Sequence, residues 1–285
     1  MQSSEVLAVD VGGTKMAVAR VGPDGAISWT ATAPTPISER AEDVWAVVQD
    51  LVERATAVGA VRSCGAGCGG PMEGGDAVSP LNIPAWRRFP LKSRLAALVG
   101  VPVAVDNDAK ALALGEGWLG GAVGRTSYLA MVVSTGVGGG IVVDGRMLEG
   151  RTGNAGHIGH VVVVPEGRPC GCGGRGCLEA EASGTALAAI SGRPAVDAGP
   201  ELVARTGRLV GRAVGTVANL LDLDLATIAG SVALGFGEPF FAAARDELAS
   251  VARLPFATQC RIEPSPLGPS APLIGAAALA WKAAS

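Results

Sequence analysis

The chain has 285 residues, room for one large domain or two modest ones, and enough to bury a core without staples. Its 23 Lys and Arg against 26 Asp and Glu leave a net charge of −3, which excludes a nucleic-acid binder that works through bulk positive charge. Apolar residues make up 48% and charged residues 17%, so the chain is not disordered, and no run of about 18 uninterrupted apolar residues exists to span a membrane.

The opening residues MQSSEVLAVD lack the basic segment and long apolar core of a signal peptide, so a cytoplasmic protein with no membrane partner is expected. Val6 to Val11 reads as a strand. A Gly-Gly turn follows, then a strand from Met16 to Val21, the turn GPDG at 22–25 and a third strand from Ala26 to Ala33. Ser38 can cap a helix that runs through Val44, Val47, Val48 and Leu51 at helical spacing. Val61 to Cys64 reads as a strand that ends in the loop GAGCGGPMEGG. Leu91 to Val99 reads as a helix, Val101 to Val105 as a strand, and Asp108 opens the helix DAKALALGEGW.

A second meander starts at Tyr128, with strand Leu129 to Val133, turn STGVGGG and strand Ile141 to Val143. The layout of the first half thus returns in the second. Beyond a Cys-rich stretch come helices at about Thr185–Ile190 and Glu201–Leu221, strand Leu225–Ala229, helix Glu238–Val251, a Pro-rich loop from Ser265 to Pro272 and a closing helix Leu273–Ala283.

Glycine is the compositional outlier, 42 of 285 residues, roughly twice the usual share. Three loops concentrate it at strand ends. Asp10-Val11-Gly12-Gly13-Thr14-Lys15 is either a plain hairpin turn or an anion-binding loop. In the second case Gly12 and Gly13 aim backbone N–H groups at a phosphate, Thr14 and Lys15 add a hydroxyl and a cation, and Asp10 holds Mg²⁺ or its waters. Ser134-Thr135-Gly136-Val137-Gly138-Gly139-Gly140 offers the same choice. Ala229-Gly230-Ser231 ends a third apolar strand and means little alone.

The only two histidines, His157 and His160, stand just before Cys170, Cys172 and Cys177. One imidazole and three thiolates in the pattern H-x9-C-x-C-x4-C, counted from His160, suit a closed tetrahedral zinc site of the structural kind. A disulfide would leave one cysteine over. Cys64, Cys68 and Cys260 read as ordinary buried thiols. Asp108 lies where a strand enters a helix. It is either a helix cap or a general base that takes a proton from a substrate hydroxyl. Asn107 would orient the same substrate, and Asp106 is the structural or solvated member of the trio.

Taken together, DVGGTK at 10–15, DNDAKA at 106–111, STGVGGG at 134–140, GNAGHIGH at 153–160, CGCGGRGCLEAEASG at 170–184 and the tail SPLGPSAPLIGAAALA resemble the ROK (repressor, open reading frame, kinase) family of sugar kinases over essentially the whole chain. The resemblance implies an α/β, actin-like ATPase (ribonuclease H-like) fold of two domains with a cleft between them and a structural zinc loop. The expected domains are 1–115 with the closing helix at about 271–285 packed back on it, and 116–270 with a zinc loop at 153–184.

It also implies transfer of the γ-phosphoryl of ATP, as its Mg²⁺ complex, to the 6-hydroxyl of a hexose. Carried over by position, Asp108 is the catalytic base. Asn107, His160 and Glu179 contact sugar, with Gly70 and Asn82 on the same side. Asp10, Gly12, Gly13, Thr14, Lys15, Ser134, Thr135, Gly136, Gly138 and Gly230 fall on the nucleotide side. His160, Cys170, Cys172 and Cys177 hold Zn²⁺. A homodimer is expected on the same basis.

Two departures carry weight. The adenosine loop is Ala229-Gly230-Ser231 where the family usually has a Gly-Gly pair. His157 stands where family glucokinases have Glu in GEIGH, and bacterial N-acetylmannosamine kinases carry GHIGH as this chain does. An imidazole accepts one hydrogen bond where a carboxylate accepts two hydroxyls, so N-acetylmannosamine is expected ahead of glucose. ROK repressors carry a helix-turn-helix before the phosphate strand. Here that strand starts at about residue 6, so a repressor is not expected.

Overall fold

The computed structural model describes residues 5–284. In chain order the main elements are β1 (Val6–Val11), β2 (Lys15–Val21), β3 (Ile27–Pro34), α1 (Ala41–Ala57), β4 (Cys64–Cys68), β5 (Met72–Glu73), β6 (Ala77–Val78), α2 (Leu91–Val99), β7 (Val103–Asn107) and α3 (Asp108–Leu119). Then follow β8 (Tyr128–Val133), β9 (Val137–Val143), β10 (Arg146–Met147), α4 (Leu178–Ala182), α5 (Gly184–Ser191), α6 (Pro200–Leu221), β11 (Leu225–Ala229), α7 (Ser231–Phe236), α8 (Glu238–Val251), β12 (Arg261–Pro264) and α9 (Ala271–Ala283). Among the described residues no helix is long and apolar enough to cross a membrane.

The chain divides into two compact units. One holds the residues up to Leu119, Glu149–Ala155 and those from Ser270 on; the other holds Gly120–Leu148 and Gly156–Pro269. Each carries a five-stranded sheet of the same plan: order β3-β2-β1-β4-β7 in the first and β10-β9-β8-β11-β12 in the second. In both, the central strand (β1 or β8) is antiparallel to its hairpin partner and parallel to the next strand (β4 or β11), which in turn pairs in parallel with the edge strand (β7 or β12). The returning layout of strand, turn and strand is therefore a repeat of topology.

In the first unit β1 is a buried central strand and reads VLAVDV, the near-continuous apolar run of a strand covered on both faces. Leu7, Val9 and Val11 join Val44, Trp45, Val48 and Leu51 of α1 in one core. Ser38 does not cap α1: it sits outside the helix, accepts from the Arg40 amide at 3.0 Å and donates to Asp43 at 2.7 Å. α9 packs against α3, β1 and β4. Its small residues allow this. A Cβ at Gly275 would lie 2.7 Å from the Ala111 backbone, well inside van der Waals contact. Ser63 donates to the Ala280 carbonyl at 2.7 Å and fixes the far end of α9.

The second unit builds its core on β8, β9 and β11 under α6 and α8. Gly207, Gly211 and Gly215 recur every fourth residue on one stripe of α6. A Cβ at Gly207 or Gly211 would lie 2.3 or 2.2 Å from the carbonyls of Phe240 and Ala244. The stripe is the seat of α8.

Candidate active site

In the first unit, parallel pairing aligns the C-terminal ends of three strands. Val11 of β1, Cys68 of β4 and Asn107 of β7 lie in one register row, and Asp10, Gly67 and Asp106 form the row before it. Ligands of open α/β sheets bind beyond these ends. Asn107 is the cap of α3: its Oδ1 accepts from the amides of Ala109 at 3.0 Å and Lys110 at 3.4 Å. Asp108 is the first helical residue, and its Oδ1 accepts from the Ala109 amide at 2.8 Å. The helix thus keeps its cap without Asp108. Negative charge at this helix start is favoured by the dipole.

Asp10 is the electrostatic outlier. Burial, then the charge of Asp108, lifts its carboxyl to about 7, against the pull of Lys15. The Cys68 thiol is held well above its ordinary value by burial and by the charges of Asp108 and Asp10, so it stays a thiol. The 12–15 turn is closed by the Gly12 amide on the Lys15 carbonyl at 3.1 Å and by Thr35, whose hydroxyl donates to the Gly12 carbonyl at 2.6 Å. A Cβ at Gly13 would lie 2.4 Å from the Asn82 Cβ, so this loop and Asn82 touch. Asn107 Nδ2 donates to the Gly70 carbonyl at 3.3 Å.

In the second unit, Ser134, Thr135 and Gly136 form the turn between β8 and β9, while Gly138, Gly139 and Gly140 lie within β9. The strand glycines answer a packing need. A Cβ at Gly139 would lie 2.7 Å from the Ile158 Cγ2, and one at Gly159 would lie 2.2 Å from the Val137 carbonyl. The 156–159 segment therefore presses directly on the strand. Glu179 accepts from the Val137 amide at 3.0 Å, which fixes its carboxylate at the turn. The Ser134 and Ser231 hydroxyls are 2.9 Å apart, and Thr185 bonds the Thr135 carbonyl at 3.0 Å. Gly230, at φ +102°, leads into α7 and would meet the Val133 carbonyl at 2.3 Å with a Cβ.

The ligand atoms of His160, Cys170, Cys172 and Cys177 all lie within 4.8 Å of one another. His160 Nδ1 is 3.6 Å from Cys170 Sγ, and Cys172 Sγ is 3.7 Å from Cys177 Sγ. Tetrahedral bonds of about 2.3 Å to sulfur and about 2.0 Å to nitrogen place donors roughly 3.5–3.8 Å apart. The cluster fits zinc, with Nδ1 as the imidazole donor. A positive φ of 69° at Gly176 and a Cβ position only 1.8 Å from the Val164 carbonyl show why the wrap needs glycine. His157, whose ring centroid is 6.1 Å from that of His160, precedes the short 3₁₀ turn 158–160.

A sequence profile of the ROK family matches residues 6–283. The chain belongs to the ROK family. It is 38% identical over 290 residues to an N-acetylmannosamine kinase of Citrobacter koseri, covering 96% of this chain and 98% of that protein. It is also 38% identical over 190 residues to a glucokinase of Thermotoga maritima, covering 66% of this chain and 60% of that protein. Among solved structures, a ROK glucokinase from Streptomyces griseus in complex with glucose and AMPPNP superposes with a TM-score of 0.86 at 30% identity, covering 98% and 99% of the two chains. The ROK hexokinase of Thermus thermophilus superposes at 0.80 with 33% identity, covering 98% of each. The α/β architecture of this ROK chain is that of the actin-like ATPases.

Sequence reading set Asp10, Gly12, Gly13, Thr14 and Lys15 on a nucleotide-side loop and Asn107, Asp108, Gly70 and Asn82 on the sugar side; the structure bonds Asn107 to Gly70 and puts Asn82 against Gly13 of the loop. Thr35 and Thr185 were missed, and Ser231 was read only as the end of the Ala229-Gly230-Ser231 loop, not as a partner of Ser134. Each lies far along the chain from the loop it braces, and a lone hydroxyl residue gives no signal.

Proposed function

We propose that this ROK chain is an ATP-dependent sugar kinase that phosphorylates the 6-hydroxyl of an N-acylhexosamine, N-acetylmannosamine foremost. The kinase reading is carried by Asp108: a carboxylate at a strand end, next to the phosphate-type loop of Asp10, whose helix is capped by its neighbour. It takes the proton from the attacking hydroxyl as the new O–P bond forms and the bond from Pγ to the leaving oxygen of ADP breaks. Asp10 would hold the Mg²⁺ of the nucleotide or its waters. Lys15 and the amides of Gly13 and Thr14 face phosphate; the Gly12 amide, expected from the sequence to do the same, is instead spent on the Lys15 carbonyl that closes the turn. Ser134, Thr135 and Gly136 are the nucleotide-side residues of the other unit.

Glu179, held by the Val137 amide, accepts sugar hydroxyls. Zinc, when bound, is closed by four protein ligands and contributes rigidity rather than an activated water. Ligation through Nδ1 leaves His160 with its proton on Nε2, so it donates to a sugar oxygen and does not accept.

His157 supports the acylated sugar, as does the near-complete coverage of an N-acetylmannosamine kinase at 38% identity. Glucose is the second reading, favoured by the 0.86 superposition on a glucose-bound glucokinase. An ATP-consumption assay across glucose, mannose, fructose, N-acetylglucosamine and N-acetylmannosamine decides. Highest catalytic efficiency on N-acetylmannosamine is expected. Equal ATP consumption with and without every sugar would overturn the kinase reading.

A further inference from the structure

Lys110 is a poor residue to bury, and it is 2% exposed. It lies on α3, two residues past Asp108. Its ammonium meets Asp106 at 2.9 Å, pairs with Glu149 and donates to the Gly153 carbonyl at 3.1 Å. Three acceptors satisfy its three protons, which is what a buried ammonium requires. Burial alone would lower its pKa, but the bonds to Glu149 and Asp106 outweigh it and the net shift is upward.

These contacts belong to a closed circuit. Asp106 Oδ1 accepts from the Asn107 amide at 2.7 Å, and Asn107 Nδ2 donates to the Gly70 carbonyl at 3.3 Å. Two residues on, Met72 pairs with Asn154 like a strand partner, its amide on Oδ1 at 2.8 Å and its carbonyl on Nδ2 at 2.9 Å. Asn154 adjoins Gly153, whose carbonyl returns the circuit to Lys110 and so to Asp106. Three segments far apart in sequence, 69–72, 106–108 and 149–155, are joined in one polar ring. Among the residues whose bonds form the ring, Lys110 carries the positive charge.

We infer that Lys110 is a positioning residue that closes this ring, holding Asn107, Gly70 and the 149–155 segment in the arrangement that recognises sugar. The inference rests on the kinase reading above. Asn107 and Gly70 are sugar-side residues of that reading and sit on the ring itself. The 149–155 segment runs directly into 157–160. Nucleotide-side residues are not members of the ring, so its loss should fall on sugar rather than on ATP.

The test compares wild type with Lys110→Met, with Asn154→Ala on the far side of the ring, and with Lys110→Met combined with Asp106→Asn, which removes the carboxylate stranded by the first change. Two measurements are made on the whole chain: amide hydrogen exchange of 69–73 and 149–155, and KM for sugar and for ATP. Lys110→Met and Asn154→Ala should each speed exchange in both segments and raise the sugar KM about tenfold or more, since small displacements of positioned groups are costly. The ATP KM should stay within about twofold, because it reports binding that the ring does not touch. The double variant should regain stability but not sugar KM. A sugar KM within about twofold of wild type in folded Lys110→Met, or exchange unchanged in 69–73, would overturn the inference. If wild type turns over no sugar, the kinase reading and the positioning role both fall, and exchange alone shows whether the ring exists.

Discussion

The charge of Asp108 acts on Asp10: together with burial, which is the larger effect, it lifts the Asp10 carboxyl from 3.8 to about 7, and Lys15 offsets only part of the rise. The folded chain therefore favours the protonated form of Asp10. Its contribution to stability is fully present below 3.8 and is lost as pH rises towards 7. The slope is at most about 1.4 kcal/mol per pH unit. Denaturant melts of wild type and Asp10→Asn between pH 4 and 8, without nucleotide or magnesium, should show that component in wild type and not in the variant. Asp108→Asn should shift it to lower pH. Parallel profiles for all three chains would show that Asp10 ionises normally.

Asp108→Ala should lower turnover by about 10²–10⁴, the range for loss of a general base. Its effect on stability should be small, because Asn107 and not Asp108 caps α3. A coupled ADP-release assay beside a thermal melt separates the two. Asn107→Ala should do the reverse in stability, costing about 1 kcal/mol for the lost cap. Near-normal turnover in Asp108→Ala would place the base elsewhere.

How far the sequence exposed this architecture depended on the kind of signal. The buried strands β1, β8 and β11 are near-continuous apolar runs, and their Gly-rich ends announced the loops. The strand ending at Cys64 was placed too early, because GAGC at 65–68 looks like a loop when the helix that comes down on those glycines is unknown. Gly138, Gly139 and Gly140 were read as a phosphate turn for the same reason. They are strand residues, and Gly139 and Gly140 lie against the 156–159 segment. β12, Arg261–Pro264, escaped notice because an edge strand of alternating polarity ending in Pro has little apolar content. The grouping of His160, Cys170, Cys172 and Cys177 was legible because these residues are close in sequence. The Lys110 ring was not, since Glu149 lies 39 residues away and no local pattern joins them.

Zinc should be structural. Metal analysis of protein purified without chelator should find about one zinc per chain, as a single four-ligand cluster requires. Cys177→Ser should release it, lower the melting temperature and weaken sugar binding, because the wrap fixes His160. ATP binding should change less. Full activity and stability in metal-free protein would refute the assignment.

His157 should choose the sugar. It stands at the entrance to the 158–160 turn, near His160, in the segment seated on β9. A Glu at this position can take two adjacent ring hydroxyls on one carboxylate. N-acetylmannosamine has no hydroxyl at C2, since an axial acetamido group replaces it. A carboxylate there would lose a donor and crowd the larger substituent, and leaving it partly unpaired costs on the order of 1–3 kcal/mol. Imidazole removes that charge and still makes one hydrogen bond. His157→Glu should therefore swing the ratio of catalytic efficiencies towards glucose by about tenfold or more, equivalent to about 1.4 kcal/mol. The measurement is kcat/KM for glucose and for N-acetylmannosamine in both chains, with zinc content checked so that a damaged loop is not mistaken for altered choice. If wild type already prefers glucose and the ratio does not move, selection lies with Asn107, Glu179 and His160 instead, and the sugar is glucose.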